Sequence, residues 1–371
     1  MRHGRREMGE DAAAKGPRAR AIEAFNLPLF LKRNALLIAF SAFIMVMPAW
    51  ASPLSKPLGI PIILTMRLVG VYAIVAVGLN LLMGYAGQVS LGHGAFFGIG
   101  AYTSALLTAR AGLPVWVGIP CAVLVALIFG VLLAPVLRLK GHYLAMATLA
   151  MGIVIFVFMR EMTWLTGGND GVRNIPDLAL PFLKVTTTQG EFYYVWVIAI
   201  VALALCSNLV NSRVGRAMRA LHQSEVAAEA MGVPVSSMKK RTFVLSAALG
   251  GLAGALFAHL QGFIDPNQFS ILLSISLVTM VVIGGMESVW GSVFGAGLIT
   301  FLPKLVEALP RWLGDVPDWL EKYSNYEGMV LGVIIMLTMV FMPSGITKGL
   351  VDLVRNRRSP FVNPFRRKAV D

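Results

Sequence analysis

Long apolar blocks recur along the chain, at about residues 36–52, 62–83, 91–109, 113–137, 143–165, 192–211, 242–262, 271–286, 288–309 and 326–343, separated by short polar or basic connections. A helix needs roughly 17 to 25 residues to cross a hydrocarbon core. The pattern therefore predicts an all-α polytopic membrane protein with about ten transmembrane helices. The third and ninth blocks are rich in glycine and fit a re-entrant segment as well as a full crossing.

Ten crossings can be checked against charge, because positive residues collect on the cytoplasmic side. On this register 23 of the 32 Lys and Arg residues fall in the N-terminal tail, the 138–142 loop, residues 212–241 and the C-terminal tail. Six fall on the other side and three inside blocks. Both termini are then expected in the cytoplasm. The predicted organisation is a basic tail (1–35), a transmembrane domain (36–343) with a cytoplasmic loop at 212–241, and a second basic tail (344–371). The first block, with basic residues ahead of it and the small pair Ala49 and Ala51 behind, imitates a cleaved signal, but its basic tail is long for one.

Composition narrows the function classes. The chain is 57% hydrophobic and only 14% charged, with a mean hydropathy of +0.72, against about 25% charged in soluble domains. Its net charge of +13 would suit nucleic acid on a soluble basic face, but here the charge sits in loops and tails beside lipid headgroups. Membrane lipid is the expected partner of those residues, and nucleic acid is not expected. Cys121 and Cys206 each lie within an apolar block, which supports neither a disulfide framework nor a metal site. The chain shows no GxxxxGK[ST], HExxH or GxSxG, and its five histidines are scattered. A transport subunit rather than an enzyme is expected, with no catalytic residues and no cofactor.

The loop Ser212–Arg241 is the most informative connection. Ser224 is a candidate N-cap, Glu225 puts negative charge in the first turn, Ala227, Ala228 and Ala230 favour helix, and Gly232 with Pro234 ends it. Ser236 is expected to cap the following span. A short capped helix outside the bilayer suits docking into a partner's groove or resting on headgroups.

The segment SRVGRAMRALHQSEVAAEAMGV resembles the coupling loop of ABC importer permeases, with Glu225, Ala227, Ala228 and Gly232 matching its pattern and Arg216 and Arg219 beside them. GYAGQVSLGHGAFFGIGAY at 84–102, LKGHYLAMATLAMGIVI at 139–155, TGGNDGV at 166–172 and VIGGMESVWGSVFGAGLI at 282–299 are similar, in colinear order, to the branched-chain amino acid permease family. Gly94 and His142 depart from the residues expected there, and both tails fall outside the likeness. The resemblance implies one of two homologous permease subunits in a bacterial inner membrane, above two cytoplasmic ABC ATPases and served by a periplasmic solute-binding protein. It implies import of branched-chain or other hydrophobic amino acids. A urea or short-amide importer shares similar motifs and stays open, as does an ion-coupled carrier, although the spans hold almost no Asp or Glu.

Polar residues inside apolar blocks are candidates for lining a translocation path, because such groups are expensive unless they face protein or water. They are Asn80, Gln88, Ser90, His93, Thr103, Ser104, Thr148 and Ser274. Gly94 with Gly98, Gly250 and Gly251 with Gly254, and Gly291 with Gly295 place small residues on one helix face, which favours close helix packing. Arg67, and Arg160 with Glu161, lie toward span ends and are expected to snorkel or pair.

Overall fold

The structure is a computed structural model, and it describes residues 27–180, 183, 184, 187–313, 332 and 336. The expected tenth block at 326–343, apart from Gly332 and Met336, residues 1–26 of the first basic tail and the whole second tail lie outside the described residues. The chain divides into two compact units, Met1–Pro48 and Ala49–Asp371. Helix α1 (Leu27–Leu58) carries the described part of the first unit and runs on past the division.

The second unit is a helix bundle. Its elements are α2 (Ile62–Asn80, extended by a π turn, Leu81–Tyr85), α3 (His93–Ala105, extended by a π turn, Leu106–Arg110) and α4 (Val115–Leu133, with a 3₁₀ turn, Ala134–Arg138). These are followed by α5 (His142–Glu161), α6 (Thr188–Val210), α7 (Arg213–Gln223) and α8 (Glu225–Ala230). The unit continues with α9 (Val235–Gln261), a 3₁₀ turn at Pro266–Phe269, α10 (Ile271–Gly284) and α11 (Val289–Leu313). Only a two-residue hairpin, Ala179–Leu180 against Leu183–Lys184, is extended among the described residues.

Six helices among the described residues are long and apolar enough to cross a membrane: Ile62–Tyr85, Val115–Arg138, His142–Glu161, Thr188–Val210, Val235–Gln261 and Pro266–Gly284. Leu37–Ala51 and Val289–Leu305 are shorter apolar stretches. This makes the chain a multi-pass membrane protein. The third expected block differs from the rest. Glycine, His93, Thr103 and Ser104 dilute its hydropathy, and twelve of the thirteen residues of α3 are buried.

Close approach of α3 to α9 organises the bundle. A Cβ at Gly254 would run into the Phe97 carbonyl, and one at Gly100 into the backbone of Gly251. Only glycine lets these backbones touch, which is the packing mode expected where lipid supplies no hydrophobic drive between helices. Aromatic rings fill the seam on either side, with Phe96 against Phe243 at 5.4 Å and Phe97 against Phe257 at 5.3 Å. Two histidines stitch it. His93 Nε2 lies 2.6 Å from Ser246 Oγ, and His259 Nε2 lies 2.8 Å from Ser104 Oγ. A similar seam joins α10 to α11, where Gly284 meets Gly291 and Gly295 meets the Met280 carbonyl.

The bundle has a basic end and an opposite end. At the basic end the His222 ring, on α7, lies 2.7 Å from the Gly84 carbonyl, and Lys140 lies 3.6 Å from Glu225. At the opposite end Val172 and Ile264 exchange backbone hydrogen bonds of 2.9 and 3.1 Å, His259 Nδ1 lies 2.8 Å from the Pro176 carbonyl, and Arg110 donates to the carbonyls of Trp164 and Leu165. Helix α3 with its π turn, His93–Arg110, extends over about 25 Å, from beside Ser246 of α9 to the opposite end.

One expected cap is absent. Helix α9 begins at Val235 after Pro234, with no side-chain capping bond, so Ser236 lies inside the helix. Pro234 itself stands in the cap position, and its ring fixes the entry angle at φ −75°.

Candidate functional site

The basic end carries the 212–241 segment as two helices. Ser212 Oγ accepts from Val214 N at 3.1 Å and starts α7, and Ser224 Oγ accepts from Ala227 N at 3.2 Å and starts α8. The first of these was not visible as a separate helix in the sequence, although Ser212 has the same capping chemistry as Ser224. Gly232 follows at φ +81°, a left-handed conformation that favours glycine.

The coupling candidates divide by environment. Ala228 is buried, Arg219 and Glu225 are half-buried, and Arg216, Ala227 and Gly232 are exposed. The Glu225 carboxylate is engaged within the chain. It pairs with Lys239, whose side chain is only 8% exposed at the start of α9, and it faces Lys140 in the α4–α5 connection. A polar recess of about 290 Å³ lies between these groups, with Arg138, Glu229 and Ser236 also on its wall. On its outer side α8 exposes Val226, at 77%, beside Glu229, and Met231 just past its end is 84% exposed. Neither apolar residue was singled out in the sequence.

The path candidates gather around the connection between α2 and α3. Asn80 Nδ2 donates to the Ser288 carbonyl at 2.7 Å and to Ser292 Oγ at 2.8 Å, while its Oδ1 accepts from Glu287 N at 3.2 Å. This side chain bolts the end of α2 to the start of α11. Ser90 Oγ lies 2.9 Å from His93 Nδ1, so His93 is held on both ring nitrogens. Thr148 Oγ1, on α5, accepts from Leu91 N at 3.1 Å, and Ser274 Oγ, on α10, accepts from Gly94 N at 3.0 Å. Thr103 bonds back to its own helix at the Ile99 carbonyl, 2.7 Å away. Seven of the eight named candidates therefore have protein partners, Ser104 through His259. Gln88 differs: it is 2% exposed and neither its Oε1 nor its Nε2 has one.

A separate cavity of about 490 Å³ opens between α3, α4 and α5. Its walls include Ile99, Phe129, Met151, Val154 and Met159, with hydroxyls from Tyr102, Thr103 and Thr166. The lining suits aliphatic groups and holds no charged side chain.

Comparison with known proteins places this geometry. Residues 62–339 match the model of a family described as branched-chain amino acid transport system, permease component. The high-affinity branched-chain amino acid transport system permease protein LivM of Escherichia coli (strain K12) is 31% identical over 363 residues, covering 90% of this chain and 80% of that one. Its namesake in Salmonella typhimurium is 32% identical over 329 residues, covering 82% and 73%. The permease protein LivH of Escherichia coli (strain K12), from a transport system of the same name, is 27% identical over 303 residues, covering 74% and 90%. The matched region takes in the α3–α9 seam, the 84–94 connection and α8 alike.

Proposed function

This chain belongs to the permease family of branched-chain amino acid transport systems, and from that premise we propose that it is one membrane subunit of an ABC importer for branched-chain amino acids in a bacterial inner membrane. Its partners in this reading are a second, homologous permease, two cytoplasmic ABC ATPases and a periplasmic solute-binding protein. Support for a paired permease comes from the chain's likeness to both LivM and LivH, two permease proteins of identically named systems.

The observation that carries the reading is the pairing of a family match over residues 62–339 with α8, a capped helix outside the apolar spans that turns Val226 and Met231 outward. Arg216, Ala227 and Gly232 flank that patch, and Glu225 with Ala228 anchors the helix from behind. An ATPase that closes on ATP would move α8. Through Glu225 and Lys239 the movement would reach α9, and through the glycine seam α3. Asn80, Gln88, Ser90, His93, Thr148 and Ser274, with Thr103 farther along α3, form a polar belt that we assign to the path, its inner mouth toward the basic end.

The test is purification of the chain in mild detergent from its host, followed by reconstitution of what co-purifies. Two P-loop ATPases and a second permease are expected, with ATP-driven leucine uptake that needs the binding protein. A chain that purifies alone and moves solute down an ion gradient would refute the reading.

A further inference from the structure

The seven polar belt residues are not equivalent, and the difference points to one of them. Gln88 lies between the π turn of α2 and the first turn of α3, a segment pinned at four places. Its own N–H donates to the Leu82 carbonyl at 3.0 Å, the Gly84 carbonyl lies 2.7 Å from the His222 ring, Leu91 N donates to Thr148, and Gly94 N donates to Ser274. The backbone is thus anchored at these points while the side-chain carboxamide has no partner at either atom. Removing a hydrogen-bonding group from water without a partner is costly, and native proteins rarely leave such groups unsatisfied.

Burial limits what the partner can be. At 2% exposure the side chain is already enclosed by its own chain, so an ATPase or a second permease docking on the outside does not reach it. Only something small that enters the bundle does. The carboxamide presents a donor and an acceptor side by side. That combination serves the two charged ends of a zwitterionic α-amino acid, the amide N–H to its carboxylate and the amide oxygen to its ammonium. The cavity between α3, α4 and α5, by contrast, offers hydroxyls and hydrocarbon only, and suits an aliphatic side chain better than a zwitterion.

We propose that Gln88 is a solute-contacting residue at the inner mouth of the path, recognising the backbone charges common to α-amino acids, while Ser90, His93, Thr148 and Ser274 hold its segment in place. This rests on the amino-acid importer reading above.

The experiment uses the complete importer in proteoliposomes, with leucine uptake and ATP hydrolysis measured together for wild type, Gln88→Met and Gln88→Asn. Methionine keeps the length and apolar packing and removes the unpartnered groups. The expected result for Gln88→Met is a melting temperature no lower than wild type, ATP hydrolysis within twofold, and leucine uptake reduced at least tenfold, mainly through a raised KM. Gln88→Asn, which keeps the amide on a shorter stem, is expected between the two. If Gln88→Met does not assemble, Gln88→Asn decides: a raised KM supports the proposal and an unchanged one overturns it. Uptake by Gln88→Met within twofold of wild type means that the carboxamide holds an internal water at most, which overturns the proposal. Absence of leucine uptake by wild type would instead sink the importer reading itself, so the two failures are separable.

Discussion

A single ion pair shows what a residue in this bundle contributes. Arg67 on α2 pairs with Glu191 in the first turn of α6, and both side chains are largely buried. Replacing both partners of a buried ion pair by hydrophobic residues is often neutral, whereas removing one partner strands the other, at about 3–5 kcal/mol. Glu191→Gln is therefore expected to lower the stability of the detergent-purified subunit by about 3 kcal/mol. The double variant Arg67→Met with Glu191→Leu should recover to within about 1 kcal/mol of wild type. Thermal melting of the three proteins checks this, and a double variant as unstable as the single one would mean that Arg67 is held by something else. The sequence marks Arg67 as a residue that must pair or snorkel, since its charge stands inside an apolar block. It does not mark Glu191 as the partner, because the pairing depends on how α2 and α6 meet. Asn80 is the same case: its polarity is plain in the sequence, but Ser288, 208 positions later, is not.

Among the elements, α8 and its clamp separate two roles that sequence reading had merged. Glu225, Ala227, Ala228 and Gly232 stand out by pattern, yet the carboxylate of Glu225 turns inward to Lys239 and the methyl of Ala228 is buried. The pattern records how the helix is capped, anchored and ended. Exposed side chains need no such pattern, so Val226 and Met231 pass unnoticed until the helix is seen in place. Burial of large apolar residues dominates interface energetics, and a charge set there without a partner disrupts docking. Val226→Asp combined with Met231→Asp is expected to cut ATPase co-purification at least tenfold, while the melting temperature of the isolated subunit stays within about 2 °C, since surface substitutions typically stay within about 0.5 kcal/mol. Undiminished co-purification would move the docking surface away from α8.

Across the whole molecule, the hydropathy pattern places the apolar helices more securely than it counts crossings. The blocks at 62–83, 113–137, 143–165, 192–211, 242–262 and 271–286 each overlap a long apolar helix, although the helix at Val235–Gln261 starts seven residues before its block. Helix α3 escapes the same criterion because it is lined by glycines that serve the α9 seam and polar groups that serve the belt, so its membership of the bundle is set by packing rather than by hydrocarbon. Orientation rests on charge alone: Arg138, Lys140, Arg213, Arg216, Arg219, Lys239, Lys240 and Arg241 share one end, and positive residues favour the cytoplasmic side. That end also carries α8, so an ATPase can reach it only if the rule holds here. The prediction is made with single cysteines at Met231, at the basic end, and at Trp164, at the opposite end, in a background lacking Cys121 and Cys206. Both native positions are highly exposed. In intact cells with a permeable outer layer, an impermeant maleimide should label the position 164 cysteine and spare the one at 231 until the inner membrane is opened. The reverse order would place α8 outside the cell, out of reach of any ATP-driven partner, and would end the importer reading whatever the family resemblance.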